Sequence, residues 1–278
     1  MTLIRTTDSS PTTDTSAQRV ADLARLHRPS WGTVLGAGIA VILIVASTHH
    51  SELTLTAVVN GTPEIVDFVS RMFPPDLSIA GRAMSLMVET LAIAITGTTF
   101  GVLFAVPLAM LATRTVVNNN VVRQSTRMVL NIVRAVPELM WALLFVSAVG
   151  LGAIAGTLAL IVGTAAGMAR LFADLFESSD ARAWRAAEAA GARRSQLVSW
   201  VLLPQQLPTM ASYTLLVLDS NVRAASLFGL VGAGGIGMEL TQTLRLFEYQ
   251  QVLTIVLIVL LVVVALDQGS AYLRRRLI

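Results

Sequence analysis

The sequence predicts an all-α, polytopic helical membrane protein with about six transmembrane helices. Three observations carry this. Over half of the 278 residues are apolar and only 13% are charged, and mean hydropathy is +0.70, outside the usual soluble range. The apolar residues are bunched into Trp31–Ser47, Leu86–Ala112, Met128–Val149, Leu151–Phe172, Leu203–Leu218 and Val252–Leu266. Each matches or approaches the ~20 helical residues that cross hydrocarbon. Finally, the arginines between these segments are distributed unevenly, as membrane topology requires.

Residues 1–30 are rich in Thr, Ser, Asp and Arg. They read as a cytoplasmic N-terminal tail, disordered at first, with Ala17–His27 able to form a short amphipathic helix on the inner membrane face. The polar lead is too long for a cleaved signal and no A-x-A site follows the first span, which therefore reads as a retained anchor. One membrane domain is expected over 31–278, with its core at 84–270. The longest external segment is His49–Gly81. Within it, apolar positions 65, 66, 69, 72 and 73 predict an amphipathic helix over Pro63–Phe73, ended by Pro74-Pro75.

Spans two and three are joined by a loop, Arg114–Arg127, containing Asn118–Asn120. Only Gly150–Gly152 separates spans three and four, so these form a tight hairpin. Small residues crowd the fourth span. Its pairs Gly152-x-x-x-Gly156 and Gly163-x-x-x-Gly167 predict close helix approach.

With the N-terminus inside, the inner segments hold Arg5, Arg19, Arg25, Arg28, Arg114, Arg123, Arg127, Arg182, Arg185, Arg193, Arg194 and Arg274–Arg276. The outer ones hold Arg71, Arg82, Arg223 and Arg245. Fourteen against four predicts that both termini are cytoplasmic. The net charge of +3 thus needs no nucleic acid to explain it. The absence of cysteine excludes disulfides and thiolate chemistry, and the adjacent His49 and His50 lack metal-ligand spacing. All 20 basic residues are Arg; a phosphate-cradling G-x-x-x-x-G-K-[ST] loop needs a Lys, so the chain carries no such ATPase engine.

Three constellations remain. The first is the polar hairpin at 174–203. Ser178, Ser179 and Asp180 offer N-caps to an Ala-rich helix, Ala181–Ala190. Gly191 permits a bend before a second short helix, Arg193–Trp200, and Pro204 begins the next span. A face of Ala186, Ala187, Ala189 and Ala190 is low enough to enter a groove on another protein, with Arg185 and Glu188 at its rim. The second is Gly232-Ala-Gly-Gly-Ile-Gly237. It fits G-x-G-x-x-G, but a membrane span and not a strand precedes it, so a dinucleotide site is rejected. Gly232, Gly234, Gly235 and Gly237 instead predict a broken backbone between spans five and six. The third is a set of ionisable residues at membrane depth: Glu89, Arg134, Glu138, Arg170, Asp219 and Arg223. Arg134/Glu138 and Asp219/Arg223 share i, i+4 spacing. They read either as two mutually neutralising ion pairs or, with Asn221, as the lining of an anion path that guanidinium suits.

The hairpin resembles the docking loop of binding-protein-dependent ABC importer permeases, E-A-A-x-x-x-G followed by nine residues and I-x-L-P. Ala186, Ala187, Gly191, Val201, Leu203 and Pro204 match; Arg185 stands where that pattern has Glu, and Glu188 lies one turn further on. Ser212-Tyr-Thr-Leu215, Ser220–Ala224 and Gly229–Gly237 are similar to the phosphonate/phosphate-type permeases in particular, and the likeness covers roughly two thirds of the chain. The resemblance implies a type I ABC importer permease of the bacterial inner membrane. It implies a homodimeric pore, two cytoplasmic ATPase subunits docked on 174–203, an extracytoplasmic substrate-binding protein and a small oxyanion cargo. It further implies that this chain has no catalytic residue, metal or cofactor of its own, ATP-Mg belonging to the ATPase partner. An ion-gradient-driven secondary transporter, with Glu89, Glu138 and Asp219 as relays, is the alternative.

Overall fold

The computed structural model describes residues 31–50 and 55–277. The expected tail, 1–30, lies outside the described residues, as do the side chains of His49 and His50. The chain divides into two units, Met1–Phe68 and Val69–Ile278. The first holds α1 (Trp31–His50) and most of α2 (Leu55–Arg71). α1 is apolar on all sides and long enough to span a membrane. α2 begins eight residues before the expected Pro63, which sits inside it, and stops short of Pro74-Pro75.

In the second unit a 3₁₀ turn, Leu77–Ile79, leads into α3 (Ala80–Ala112). Asp76 caps that turn by accepting from Ser78 N at 2.9 Å. The Ser78 side chain first, and then its backbone N–H, hold the Asp76 carboxyl below the usual carboxylate range. Next come α4 (Asn120–Ala135), α5 (Glu138–Val149), α6 (Ala153–Glu177), α7 (Ala181–Ala189) and α8 (Arg194–Leu197). A π-helical turn, Val198–Leu202, joins α8 to α9 (Leu203–Phe228), and α10 (Ile236–Arg245) and α11 (Tyr249–Leu277) complete the chain. No described residue lies in a strand.

Among the described residues, five helical stretches are long and apolar enough to cross a membrane, and α4 with α5 make a sixth if taken as one broken span. The third span expected over Met128–Val149 carries a helix-bending Pro137, and the structure breaks it there into two helices. α4 and α5 meet at 86°, because Pro137 brings no N–H and its ring excludes the preceding turn. α4 also starts inside the expected loop, where Asn119 Oδ1 accepts from Val121 N at 2.9 Å. The fifth crossing runs about ten residues beyond Leu218, to Phe228.

α3 and α6 pack along a seam of small residues. Ala94, Ala105, Ala109, Ala155, Ala159, Ala166 and Ala169 are all buried there. A Cβ at Gly97 would meet Leu160 Cβ at 2.5 Å, and one at Gly101 would meet Thr164 Cβ at 2.6 Å, so this glycine pair on α3 sets the approach. The pairs expected on α6 act differently. Gly156 faces the Ala233 carbonyl and Gly163 the Glu138 side chain, whereas Gly152 and Gly167 face open space.

Two apolar clusters flank the seam. Met87, Ile93, Leu160, Val222, Phe228 and Ile236 form one; Leu130, Met168, Phe172, Phe176, Leu202 and Met210 form the other.

Candidate functional site

The hairpin between α6 and α9 is braced at its base and open at its tip. Glu177 Oε1, at the end of α6, accepts from Arg114 N at 2.9 Å and pairs with Arg127 at 2.5 Å. Arg127 Nε reaches Ala112 O at 2.7 Å, and Arg194 donates to Val116 O at 3.1 Å. Asp180 caps α7 through Arg182 N at 2.9 Å. At the far end Gly191 takes φ +83°. Its N–H bonds Glu188 O at 2.9 Å, while Ala192 N bonds Ala187 O at 3.1 Å. This is the Schellman pattern, which requires a residue in the left-handed region.

Trp184 packs inward against the Phe172 cluster, and Ala187 is half-buried on the same side. The exposed face is Arg182, Arg185, Ala186 and Ala189, with Glu188 at its edge. Ala187, expected on the outer face with Ala186, instead faces the body of the protein. Pro204 lies in the first turn of α9, directly after the π-helical turn.

The glycine cluster breaks the chain between α9 and α10. Gly232, Gly234 and Gly235 have φ of +82°, +82° and +73°. Gly152 N donates to Gly232 O at 2.9 Å, and Gly237 packs directly on the Ser226 carbonyl. Glu89 Oε1 accepts from Gly235 N at 3.2 Å, and Thr90 Oγ1 accepts from Ile236 N at 2.8 Å. Two side chains of α3 thus satisfy the first N–H groups of α10. Arg82 pairs with Glu239 at 3.0 Å on the same helix.

The two i, i+4 pairs behave differently. Arg223 Nη1 donates to Asp219 Oδ2 at 2.7 Å along the unbroken α9. Arg134 and Glu138 fall on opposite sides of the Pro137 break and make no ion pair among the described residues. They line a cavity of about 190 Å³ together with Gly163, Thr164, Ser220 and Asn221. Asp219 and Arg223 lie two residues from Asn221 on either side, which places them on the opposite face of α9 and outside that lining. Arg170 pairs with Asp174 at 3.2 Å.

Beneath the cavity lies a polar junction of three helices. The Asn221 amide is 2% exposed. It donates to Thr98 Oγ1 on α3 at 2.8 Å and Thr164 Oγ1 on α6 at 2.9 Å. The sequence marks Asn221 as a path residue but not its partners. Thr98 lies within Gly97-x-x-x-Gly101, and that spacing was the available signal. Asn221→Leu removes the donor to both hydroxyls, of which Thr98 keeps its own bond to Ala94 O at 2.7 Å, and we expect a loss of about 1–3 kcal/mol, read as earlier thermal unfolding of the solubilised protein. Asn221→Gln is expected to recover part of it.

Residues 97–278 match the family described as binding-protein-dependent transport system inner membrane component. The chain is 36% identical over 234 residues to the phosphite transport system permease protein PtxC of Stutzerimonas stutzeri, covering 84% of this chain and 85% of that protein. It is 34% identical to the phosphate-import permease protein PhnE of Mycolicibacterium smegmatis, over 84% of this chain but 44% of that longer one. Among solved structures, a chain of the inward-facing MetNI methionine ABC transporter superposes with a TM-score of 0.62 at 25% identity, covering 70% of this chain and 97% of that one. An amino acid ABC transporter chain gives 0.59 at 16% identity, over 72% and 98%. With a helical membrane fold, an exposed Ala-faced hairpin and a family match over most of its length, the chain belongs to the binding-protein-dependent transport system inner membrane components, the permease subunits of ABC importers.

Proposed function

We propose that this permease moves a small phosphorus oxyanion, phosphonate, phosphite or phosphate, through the cytoplasmic membrane as half of a homodimeric pore. The observation that carries the cargo class is the near full-length similarity to the phosphite permease. The Mycolicibacterium relative has room beyond the matched segment for a second unit in one chain, which supports a two-unit pore. Two ATPase subunits hold ATP-Mg and hydrolyse it; an extracytoplasmic binding protein delivers the anion. The Arg185–Ala186–Ala189 face of α7 meets the ATPase, with Trp184 carrying its movement into the Phe172 cluster. Arg134 lowers the barrier that a low-dielectric surrounding sets against a multiply charged anion. It need not bind tightly, since a deep well would slow release.

The test is uptake by proteoliposomes holding the permease, its ATPase and its binding protein. ATP-driven entry of phosphite, methylphosphonate or phosphate is expected. ATP-driven entry of methionine and of none of these three would reject the cargo class.

Both termini face the cytoplasm in this reading. Single cysteines at Ser51, Ser178 and Ser195, introduced into this cysteine-free chain, should react with an impermeant thiol reagent in intact cells only at position 51. Reaction at 178 or 195 would reverse the orientation.

A further inference from the structure

On either side of Pro137 the chain places an arginine and a carboxylate that make no ion pair among the described residues. Had α4 continued, Arg134 and Glu138 would face each other one turn apart and neutralise each other. The 86° break leaves both lining the same cavity of about 190 Å³. That volume admits a small oxyanion, and Arg134 and Glu138 both keep solvent exposure there. Facing Glu138 are Arg134 from α4, Gly163, Thr164 and Gly167 from α6, and Val217, Ser220 and Asn221 from α9. Arg134 is the one charged group in that set.

The polar inventory is asymmetric. Arg134 offers a planar fork of donors, and the Ser220 hydroxyl a further one. An ionised Glu138 only accepts. It repels an anion that presents nothing but lone pairs, and it binds one that presents a hydrogen. Gly163 makes room for it: a Cβ there would press on Glu138 Cγ at 3.2 Å.

We propose that Glu138 makes this cavity a site for oxyanions that retain an acidic O–H, and that it turns away fully ionised tetrahedral anions such as sulfate. Inorganic phosphate keeps at least one O–H near neutrality even after its second ionisation, and a phosphonate- or phosphite-type group keeps its last one in the monoanion, at pH values near or below a second pKa of about 6; sulfate has lost its own. The proposal rests on the cavity lying on the oxyanion route, and it assigns a specificity-determining role to Glu138 and a positioning role to Gly163.

The experiment uses the permease with its ATPase subunits in lipid nanodiscs, with inorganic phosphate as probe. Phosphorus line broadening is followed as sulfate is added, and the Arg134→Ala complex defines the signal that belongs to the cavity. In the unaltered protein a tenfold excess of sulfate, about 1.4 kcal/mol of competition, should displace little of the Arg134-dependent signal. In Glu138→Gln, sulfate should compete about as well as phosphate, roughly a tenfold shift, and Gly163→Ala should move in the same direction.

A merely structural role for Glu138 would weaken both anions and leave their ratio unchanged. Equal displacement by sulfate in the unaltered and Glu138→Gln complexes would overturn the proposal. So would the absence of any Arg134-dependent phosphate signal. In either case, continued ATP-driven oxyanion uptake by the same preparation leaves the proposed function standing, and loss of that uptake for every phosphorus oxyanion rejects it separately.

Discussion

Replacing Ala186 with tryptophan is expected to lower substrate imported per ATP hydrolysed by at least about tenfold, roughly 1.4 kcal/mol of coupling, while the permease remains folded in the membrane. The reason is geometric. Ala186 and Ala189 present methyl groups on a face bordered by Arg182 and Arg185, so the helix approaches a partner as closely as side chains permit. An indole there holds the two surfaces apart and removes the packing on which an interface core depends. Nothing inside the permease changes, because Ala186 is exposed. Trp184→Ala is the complementary variant: it leaves the outer face intact but removes the anchor against the Phe172 cluster, so ATPase should still co-purify while uptake falls. Arg185→Glu is expected to be worse than Arg185→Ala, because the partner must already accommodate a positive charge. The measurement is the ratio of uptake to ATP hydrolysis in proteoliposomes, with co-purification of the ATPase as the second readout. An unchanged ratio in Ala186→Trp would remove the docking assignment.

Much of this architecture is legible in the sequence because membrane helices obey simple accounting. A run of about 20 apolar residues has few other places to go; four of the six expected spans lie within long helices of the structure, and Leu151–Phe172 begins two residues before its own. The hairpin is legible for a local reason. Asp180, the Ala run and Gly191 are capping chemistry written in consecutive residues, and the helix, its cap and its left-handed stop all form there. What escapes is whatever depends on a direction or a distant partner. Pro137 announces a bend within Met128–Val149, but nothing local gives its 86°. The bend also decides whether Arg134 and Glu138 neutralise each other or face a cavity. Asn221 finds hydroxyls 123 and 57 residues away. Glu89, chargeable at membrane depth and open to a relay reading, accepts a backbone N–H 146 residues on. No local pattern announces such pairs. Small-residue spacing in the fourth span was informative about close packing, but the glycines that set the α3–α6 approach, Gly97 and Gly101, lie on the facing helix.

Gly237→Ala is expected to be among the most damaging single-methyl additions at the described glycines. Gly237 is buried at the first turn of α10, where its Cα lies against the carbonyl of Ser226 and the backbone of Gly229. An added Cβ would overlap Ser226 O and sit 3.1 Å from Gly229 Cα. These neighbours are backbone atoms, so no side chain can rotate aside. The Ser226 carbonyl belongs to α9, whose adjacent Phe228 and Val222 are core residues. The α9–α10 junction would have to open, and with it the contacts by which Glu89 and Thr90 hold Gly235 N and Ile236 N. Forced overpacking costs about 1–3 kcal/mol where side chains can adjust; at this backbone crossing the upper end or more is expected, and two unsatisfied N–H groups add about 1–3 kcal/mol each. Little folded permease should survive detergent extraction. Gly167→Ala is the matched control, since a Cβ at Gly167 meets nothing within 4 Å and alanine is the better helix former by about 1 kcal/mol. Size-exclusion recovery and thermal unfolding of the two variants provide the comparison. Equal recovery would mean that the crossing at Gly237 is looser than its geometry indicates, and the rigid α9–α10 junction would have to be abandoned.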